Sequence, residues 1–329
     1  MPDEPLSSEL PQEVTTRLKE LGSELDVAIP AKRLDRNLLI ATWNLRVFGG
    51  LTKKWETGPA DSPKRNLADL HYVGEIVSRF DVVAVQEVKG NLSACRHLLT
   101  DVLGPNWGWI LTDVPQTDEA NEERLAFLFD RRRVTPSGLA GEFSEPFVVA
   151  GQTTVLGPLQ RQFARTPYAV SFLSAKTTFL LVTLHVLYGK NTEGRKHELT
   201  AIAQKLASFA REINTWGHNM ICLGDFNIDR EGDDLFDAFT STGLTPAPQL
   251  NAEPRTIFDQ PDDKQKHFYD QIAWFTDEHK SPALSLECLS AGSYDFVPLL
   301  QDDRTKEELS FHISDHYPLW VEFALPREP

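Results

Sequence analysis

Cysteine is scarce in this chain: three in 329 residues, Cys95, Cys222 and Cys288. An odd number leaves at least one thiol unpaired, which excludes a fold stapled by disulfides and fits a reducing compartment. No Cys/His spacing of the zinc-binding kind is present. Long apolar runs are missing too; none approaches the roughly 18 residues that would span a membrane as a helix. The first residues, Met1-Pro2-Asp3-Glu4-Pro5, are acidic and lack the apolar core of a secretory signal. The expected location is therefore cytoplasmic. No glycine-rich phosphate loop occurs, which argues against use of a nucleoside triphosphate. Basic residues are outnumbered, 33 Lys and Arg against 48 Asp and Glu, for a net charge of −15. That balance excludes a grip on nucleic acid by bulk positive charge. A nucleic-acid substrate would have to be held by a local basic patch and by metal bridging to phosphate. Repeats, low-complexity tracts and long linkers are absent.

What is present is a hydrophobic fraction of 41%, enough for one large α/β domain. Val14, Leu18, Leu21 and Leu25 recur every three or four residues and predict a helix over 9–26, an accessory element within an N-terminal extension, residues 1–36. Asn37–Trp43 reads as the first core strand. Ser62-Pro63 reads as the cap and first turn of a helix bearing Leu67, Leu70, Val73, Ile76 and Val77. Asp81–Val88 follows as a second buried strand, completing a βαβ unit. Short strands then alternate with turns: Gly108–Leu111, Leu125–Phe129, Phe147–Ala150, Tyr168–Leu173 and Thr178–Leu184. Leu199, Ile202, Leu206, Phe209 and Ile213 mark a long helix with Thr192 as its cap. Beyond it lie a strand ending at Asp225, a helix near 232–240, and strands Tyr269–Phe275 and Tyr317–Phe323. Two sheets packed face to face with helices outside would bury all these strands in a single domain, residues 37–325.

Polar groups cluster where the apolar strands end. Met220-Ile221-Cys222-Leu223 stops at Gly224 and then presents Asp225 and Asn227, two residues apart and so on one side of an extended backbone. A carboxylate beside an amide suits a hard cation and a phosphate oxygen. Asn44 ends the first strand, and Glu87 follows Asp-Val-Val-Ala-Val-Gln, where a carboxylate is costly unless paired or metal-bound. His185 ends Leu-Leu-Val-Thr-Leu, Asp270 opens a strand after Tyr269, and Asp315-His316 precedes the last strand. Taken singly, each has an ordinary reading as a turn or surface residue. Gathered at one edge of a sandwich, they supply oxygen ligands for Mg²⁺ or Mn²⁺ and imidazoles for proton transfer, the inventory for metal-dependent cleavage of a phosphodiester.

In chain order, these motifs resemble the endonuclease/exonuclease/phosphatase superfamily, and within it the deoxyribonuclease I branch. The stretches that carry the resemblance are Trp43-Asn44-Leu45-Arg46-Val47-Phe48-Gly49, Asp81–Val88, Glu123–Phe129, Phe163-Ala164-Arg165-Thr166-Pro167, His185, Gly224–Asn227, Tyr269-Asp270 and Ser314–Pro318. The resemblance implies an α/β fold, a four-layer α/β/β/α sandwich of two mixed sheets. It implies an endonuclease that cleaves DNA by in-line attack of water, with Mg²⁺ as cofactor and Mn²⁺ as its substitute. Asn44, Glu87 and Asp315 would hold the metal or the scissile phosphate. His185 and His316 would be the catalytic histidines, with Asp225 and Asn227 positioning nucleophile and phosphate. The expected pairing is His316 with Asp315 on the base side and His185 with Asp270 on the acid side. Arg46, Lys89 and Arg165 would bind substrate, with Lys89 standing where the family has arginine. The protein is expected to act as a monomer without a membrane span. Two alternatives remain: a phosphatase or phosphodiesterase for lipid headgroups or small phosphoesters, and a non-catalytic binding module on the same fold.

Overall fold

The structure is a computed structural model that describes residues 9–114, 122–142, 147–149, 152–154, 165–189, 192–213, 219–259, 267–277 and 282–326. Its strands are β1 (Asn37–Phe48), β2 (Val82–Lys89), β3 (Trp107–Leu111), β4 (Glu123–Asp130), β5 (Thr135–Glu142), β6 (Phe147–Val149), β7 (Gln152–Thr154), β8 (Tyr168–Ser174), β9 (Thr177–His185), β10 (Asn219–Asp225), β11 (Leu244–Pro246), β12 (Asp270–Phe275), β13 (Glu287–Ser293) and β14 (Leu319–Ala324). The helices are α1 (Gln12–Ala28), α2 (Leu67–Val77), α3 (Ser93–His97), α4 (Thr192–Ile213), α5 (Asp234–Thr240), α6 (Val297–Leu300) and α7 (Lys306–His312). One six-stranded sheet runs β13-β14-β1-β2-β4-β3, the other β11-β12-β10-β9-β8-β5.

Strand periodicity dictates the layers. Successive side chains on a strand point to opposite faces, and three apolar clusters sort them accordingly. Leu38 and Ile40 of β1, Ile221 and Leu223 of β10, and Leu319, Val321 and Phe323 of β14 meet in the cluster between the sheets. Leu39, Ala41 and Trp43, one residue out of phase, pack outward with α1 and α2. Met220 and Cys222 pack outward on the other side with α4 and α5. A helix layer, two sheets and a second helix layer result: an α/β/β/α sandwich, as the sequence pattern predicts.

Some elements differ from expectation. The helix expected from Ser62-Pro63 begins at Leu67. Asn66 is its cap, its side chain accepting Asp69 N–H while Asp69 returns the bond to Asn66 N–H. The reciprocal pair satisfies the first turn, and residues 62–65 are left as loop, Arg65 O accepting Thr52 N–H. Edge strands β5, β11 and β13 and the short helix α7 have no counterpart in the sequence reading. β5 is largely exposed and holds Pro136, Gly138 and Gly141, so it shows no apolar alternation. α1 is in register with the predicted helix, and Val14, Leu21 and Leu25 join the outer core. Ala150, Phe163 and Ala164, each part of a predicted strand or motif, lie outside the described residues, as does Met1–Pro5.

Candidate active site

Register brings the site together. β9 and β10 are parallel and pair His185 with Asp225; β10 and β12 are antiparallel and pair Asp225 with Asp270. Three neighbouring strands therefore end side by side in a histidine and two aspartates. In the facing sheet, Asn44 of β1 stands opposite Gln86 of β2, and the register breaks immediately after them. The break places Glu87 at φ 61°, and Arg46 and Val47 also have positive φ, 30° and 49°. Such residues are held by their surroundings at some cost in strain. At Gly224, φ is 142°, and a Cβ would lie 2.1 Å from the Leu184 carbonyl oxygen, so only glycine lets β10 approach β9 there.

Asn44 joins the two sheets. Its Nδ2 donates to Glu87 Oε1 and to Asp225 Oδ2, both at 3.1 Å. Glu87 Oε2 accepts Val47 N–H at 2.8 Å. Asn227, at φ 49°, donates its side-chain amide to Val186 O and its backbone N–H to Asp225 Oδ1. It thereby closes the loop that follows Asp225.

The histidine partners are not those expected. His316 Nδ1 lies 2.5 Å from Asp270 Oδ2, so Asp270 serves His316 rather than His185. His185 Nδ1 faces Glu123 Oε2 at 3.2 Å. Asp315 is not the hydrogen-bond partner of its neighbour His316, whose Nδ1 is taken by Asp270. It turns to Arg46 instead, Oδ2 to Nη1 2.9 Å. With Nδ1 turned to a carboxylate, each imidazole presents Nε2 to the same atom, Asp225 Oδ2, at 3.6 Å from His185 and 3.9 Å from His316. Two histidine–carboxylate pairs thus converge on one oxygen, beside the Asn44–Glu87 contact.

Glu123 is the residue the sequence reading passed over. It opens β4 much as Asp270 opens β12, an acid at the mouth of an apolar strand, and that signal was available. It also collects the cations: Lys89 Nζ at 2.8 Å and Arg165 Nε at 2.7 Å. Burial would raise its carboxyl, but the hydrogen bond to His185 and the charges of His185, Arg165 and Lys89 overcome this and hold it at about 2. Arg46 donates to Ser310 Oγ as well as Asp315 and lies over the Phe311 ring. All three expected substrate-binding cations therefore stand at the site, each paired with a carboxylate.

Burial alone would lower the pKa of His316. The charge and hydrogen bond of Asp270, helped by Asp225 and Asp315, raise it well above the usual histidine value. Burial pushes Asp270 up to about 6 against the pull of His316.

The cleft above these groups has a volume of about 440 Å³ and is lined by Asn44, Glu87, Glu123, His185, Asp225, Asn227, Asp315 and His316, with Tyr188, Phe258, His267 and Tyr269 on one wall. Two donor sets could hold a cation there. Donor atoms of Asp225, Asp270 and His316 lie within 4.8 Å of one another. The short Nδ1–Asp270 contact, however, marks a hydrogen bond, which occupies that side of the ring. Glu87, at the half-exposed rim, offers carboxylate oxygens, with buried Asn44 beside it and Asp315 lining the same cleft, and this set fits a hard divalent cation better.

Comparison with known proteins places these observations among relatives. The profile of the Endonuclease/Exonuclease/phosphatase family matches residues 41–286. A deoxyribonuclease from Thioalkalivibrio sp. (strain K90mix) is 26% identical over 307 residues, covering 91% of this chain and 74% of that one. An endonuclease/exonuclease/phosphatase family protein from Bacteroides thetaiotaomicron shares the fold, with a TM-score of 0.57 at 18% identity, over 89% of this chain and 99% of that one. A mannosyl-6-phosphatase from the same organism aligns with a TM-score of 0.55 at 20% identity, over 87% and 99%.

Proposed function

The chain belongs to the endonuclease/exonuclease/phosphatase family, a family of divalent-metal-dependent phosphoester hydrolases, and within it we propose a deoxyribonuclease I-like endonuclease that uses Mg²⁺ to cleave DNA. The observation that carries this reading is the convergence of the His185–Glu123 and His316–Asp270 pairs on Asp225 Oδ2, next to Asn44 and Glu87. The deoxyribonuclease relative supports DNA as the substrate.

Asn44 and Glu87 would hold the cation, with Asp315 at the edge of the same donor set. When bound, a cation there neutralises charge on the phosphate and on the leaving oxygen. Asp225 and Asn227 orient water and phosphate between the two rings. One imidazole stands on each side of the Asp225 oxygen, so proton uptake from water and proton donation to the leaving group are divided between them. Glu123 and Asp270 fix the tautomers by holding each Nδ1. Phosphoryl transfer gains little from covalent help, and positioned charge of this kind is what it needs. Arg46 and Arg165 contact the nucleic acid by exchanging their carboxylate partners for phosphates. The site is complete within one chain, which fits a monomer, and no helix among the described residues is long and apolar enough to cross a membrane. Three free thiols are in keeping with a cytoplasmic location.

Supercoiled plasmid, linear duplex, single strand and p-nitrophenyl phosphate, each with Mg²⁺, Mn²⁺ or EDTA, test the proposal. Plasmid should be nicked with either metal and left intact in EDTA. Glu87→Gln keeps the shape of the side chain but removes the charge that binds a hard cation, and should abolish nicking at millimolar metal. Undiminished nicking by that variant in EDTA would sink the metal-dependent mechanism. Turnover of the small phosphoester alone would move the assignment to a phosphatase, a reading that the acidic net charge and the carboxylate-paired cations favour.

A further inference from the structure

Two arginines lie beneath the site, and among the described residues neither makes a close ion pair with a carboxylate, the acids that act on them, such as Asp69 on Arg65 and Asp270 on Arg255, doing so at longer range. Arg65 is 2% exposed and Arg255 is fully buried. A charge taken out of water without a counter-ion is costly. At the opposite edge of the sandwich the protein avoids this cost: half-buried Arg133 sits on the Asp81 carboxylate, Nε to Oδ1 2.9 Å. Arg65 and Arg255 direct their donors at main-chain carbonyls instead. The segments they hold are those that carry the catalytic groups.

Arg65 donates from Nε to His312 O at 3.0 Å and from Nη1 to Val47 O at 3.3 Å. Its Nη2 reaches Leu45 O, Arg46 O and Ile313 O at 2.8, 3.1 and 2.9 Å. These five carbonyls belong to two stretches. One is the strained turn after Asn44, which also supplies the Val47 N–H held by Glu87. The other is the end of α7, which leads directly to Asp315. One guanidinium therefore sets where Asn44, Glu87 and Asp315 stand relative to each other.

Arg255 does the same for the proton pair. Its Nε donates to Asp270 O at 3.2 Å, and Nη1 donates to Leu250 O and Glu253 O. Its own carbonyl accepts Tyr317 N–H at 2.9 Å, and the next residue, Thr256, bridges to His316. Phe268 lies flat against the guanidinium at 4.3 Å. The start of β12 at Asp270 and the segment that carries His316 into β14, a strand of the other sheet, are thus fastened to one residue.

We propose that these buried arginines are positioning residues with separate duties: Arg65 registers the metal-side donors Asn44, Glu87 and Asp315, and Arg255 registers the Asp270–His316 pair. The Arg65 half rests on the metal-side reading given above; the Arg255 half does not. A fork of several donors suits this work, since a guanidinium fixes several carbonyls in one plane where an ammonium fixes a point.

The test compares Arg65→Met and Arg255→Met with Arg133→Met, the distant control. Arg65→Lys and Arg255→Lys stand in wherever a Met variant fails to fold by circular dichroism. Mn²⁺ binding is measured by calorimetry, and kcat and KM are taken on plasmid and on p-nitrophenyl phosphate. Loss of Arg65 should weaken Mn²⁺ binding at least about 10-fold, with kcat at saturating Mn²⁺ much less affected. Loss of Arg255 should leave Mn²⁺ binding within about 3-fold but lower kcat about 10²-fold with little change in KM. Arg133→Met should lower Tm and change neither readout. The assignment is overturned if the Arg65 and Arg255 variants lower Tm alone, as the control does, or if each moves both readouts together. Failure of the wild type to bind Mn²⁺ overturns the Arg65 half. A wild type that hydrolyses p-nitrophenyl phosphate but leaves plasmid uncut refutes the nuclease reading, while the Arg255 comparison proceeds on the small substrate.

Discussion

At the scale of single residues, the site is built from groups that local preference would not place there. Glu87 and Asn227 adopt the left-handed region, and Asp270 and Glu123 are carboxylates with almost no exposure. Each is held by a specific partner, and removing the partner exposes the cost. Glu123 has the most partners of these. Its carboxyl is held at about 2 against an ordinary 4.5, so its contribution to stability is complete above the unfolded value and is lost as pH falls from about 4.5 to about 2. Glu123→Gln should therefore lower Tm at neutral pH, and the gap from the wild type should close across that acidic window, read by thermal melts from pH 7 to 2.5. The same variant should lower kcat about 10²-fold, the effect of a histidine deprived of its orienting carboxylate. A gap in Tm that widens with acid would contradict the ion-pair account. His185, His316, Asp225 and Asn44 were legible as strand-end polar groups, but who pairs with whom was not. Pairing depends on which strands are neighbours and on which side of a segment a side chain emerges.

At the scale of elements, strand register does the assembly. Parallel β9 and β10 and antiparallel β10 and β12 bring His185, Asp225 and Asp270 level although 40 and 45 residues separate them along the chain. Gly224 permits this, since a side chain there would overlap the Leu184 carbonyl. Gly224→Ala should destabilise the fold by at least about 2 kcal/mol, from positive-φ strain and the overlap together. Its folded fraction should also lose activity, because Asp225 would be displaced from both imidazoles; urea titration and plasmid nicking measure the two effects. Wild-type stability in that variant would mean the strands separate there without cost. The buried strands β1, β2, β9 and β10 were readable from their apolar runs. The edges β5, β11 and β13 were not, because a strand with one free edge and an exposed face has little apolar pattern to show.

At the scale of the molecule, the electrostatics oppose the proposed substrate. A net charge of −15 repels a polyanion, and the cations at the cleft, Arg46 and Arg165, are bound to Asp315 and Glu123. Contact with DNA must come from few phosphates, so the salt dependence of cleavage should be shallow. Arg46→Ala and Arg165→Ala should each weaken DNA cleavage and flatten the log–log salt slope by about one unit, with p-nitrophenyl phosphate hydrolysis much less affected. A salt series on both substrates measures this. Equal losses on both substrates, or no loss on DNA, would assign the arginines to holding Asp315 and Glu123 in place and would favour a small phosphoester as substrate.

The sequence by itself determined the layers and the chemistry. Period-two apolar strands beside helices of period 3.6 can be buried only in stacked sheets with helices outside. Asparagine, aspartate, glutamate and histidine at the ends of such strands are costly unless they share a site. Tertiary structure alone decided the partnerships: His316 with Asp270, His185 with Glu123, Asp315 with Arg46, and two buried arginines under the loops. These contacts join residues as far apart as Arg65 and Ile313, or Asn44 and Asp225. No local pattern encodes a hydrogen bond whose two ends meet only after two sheets have packed.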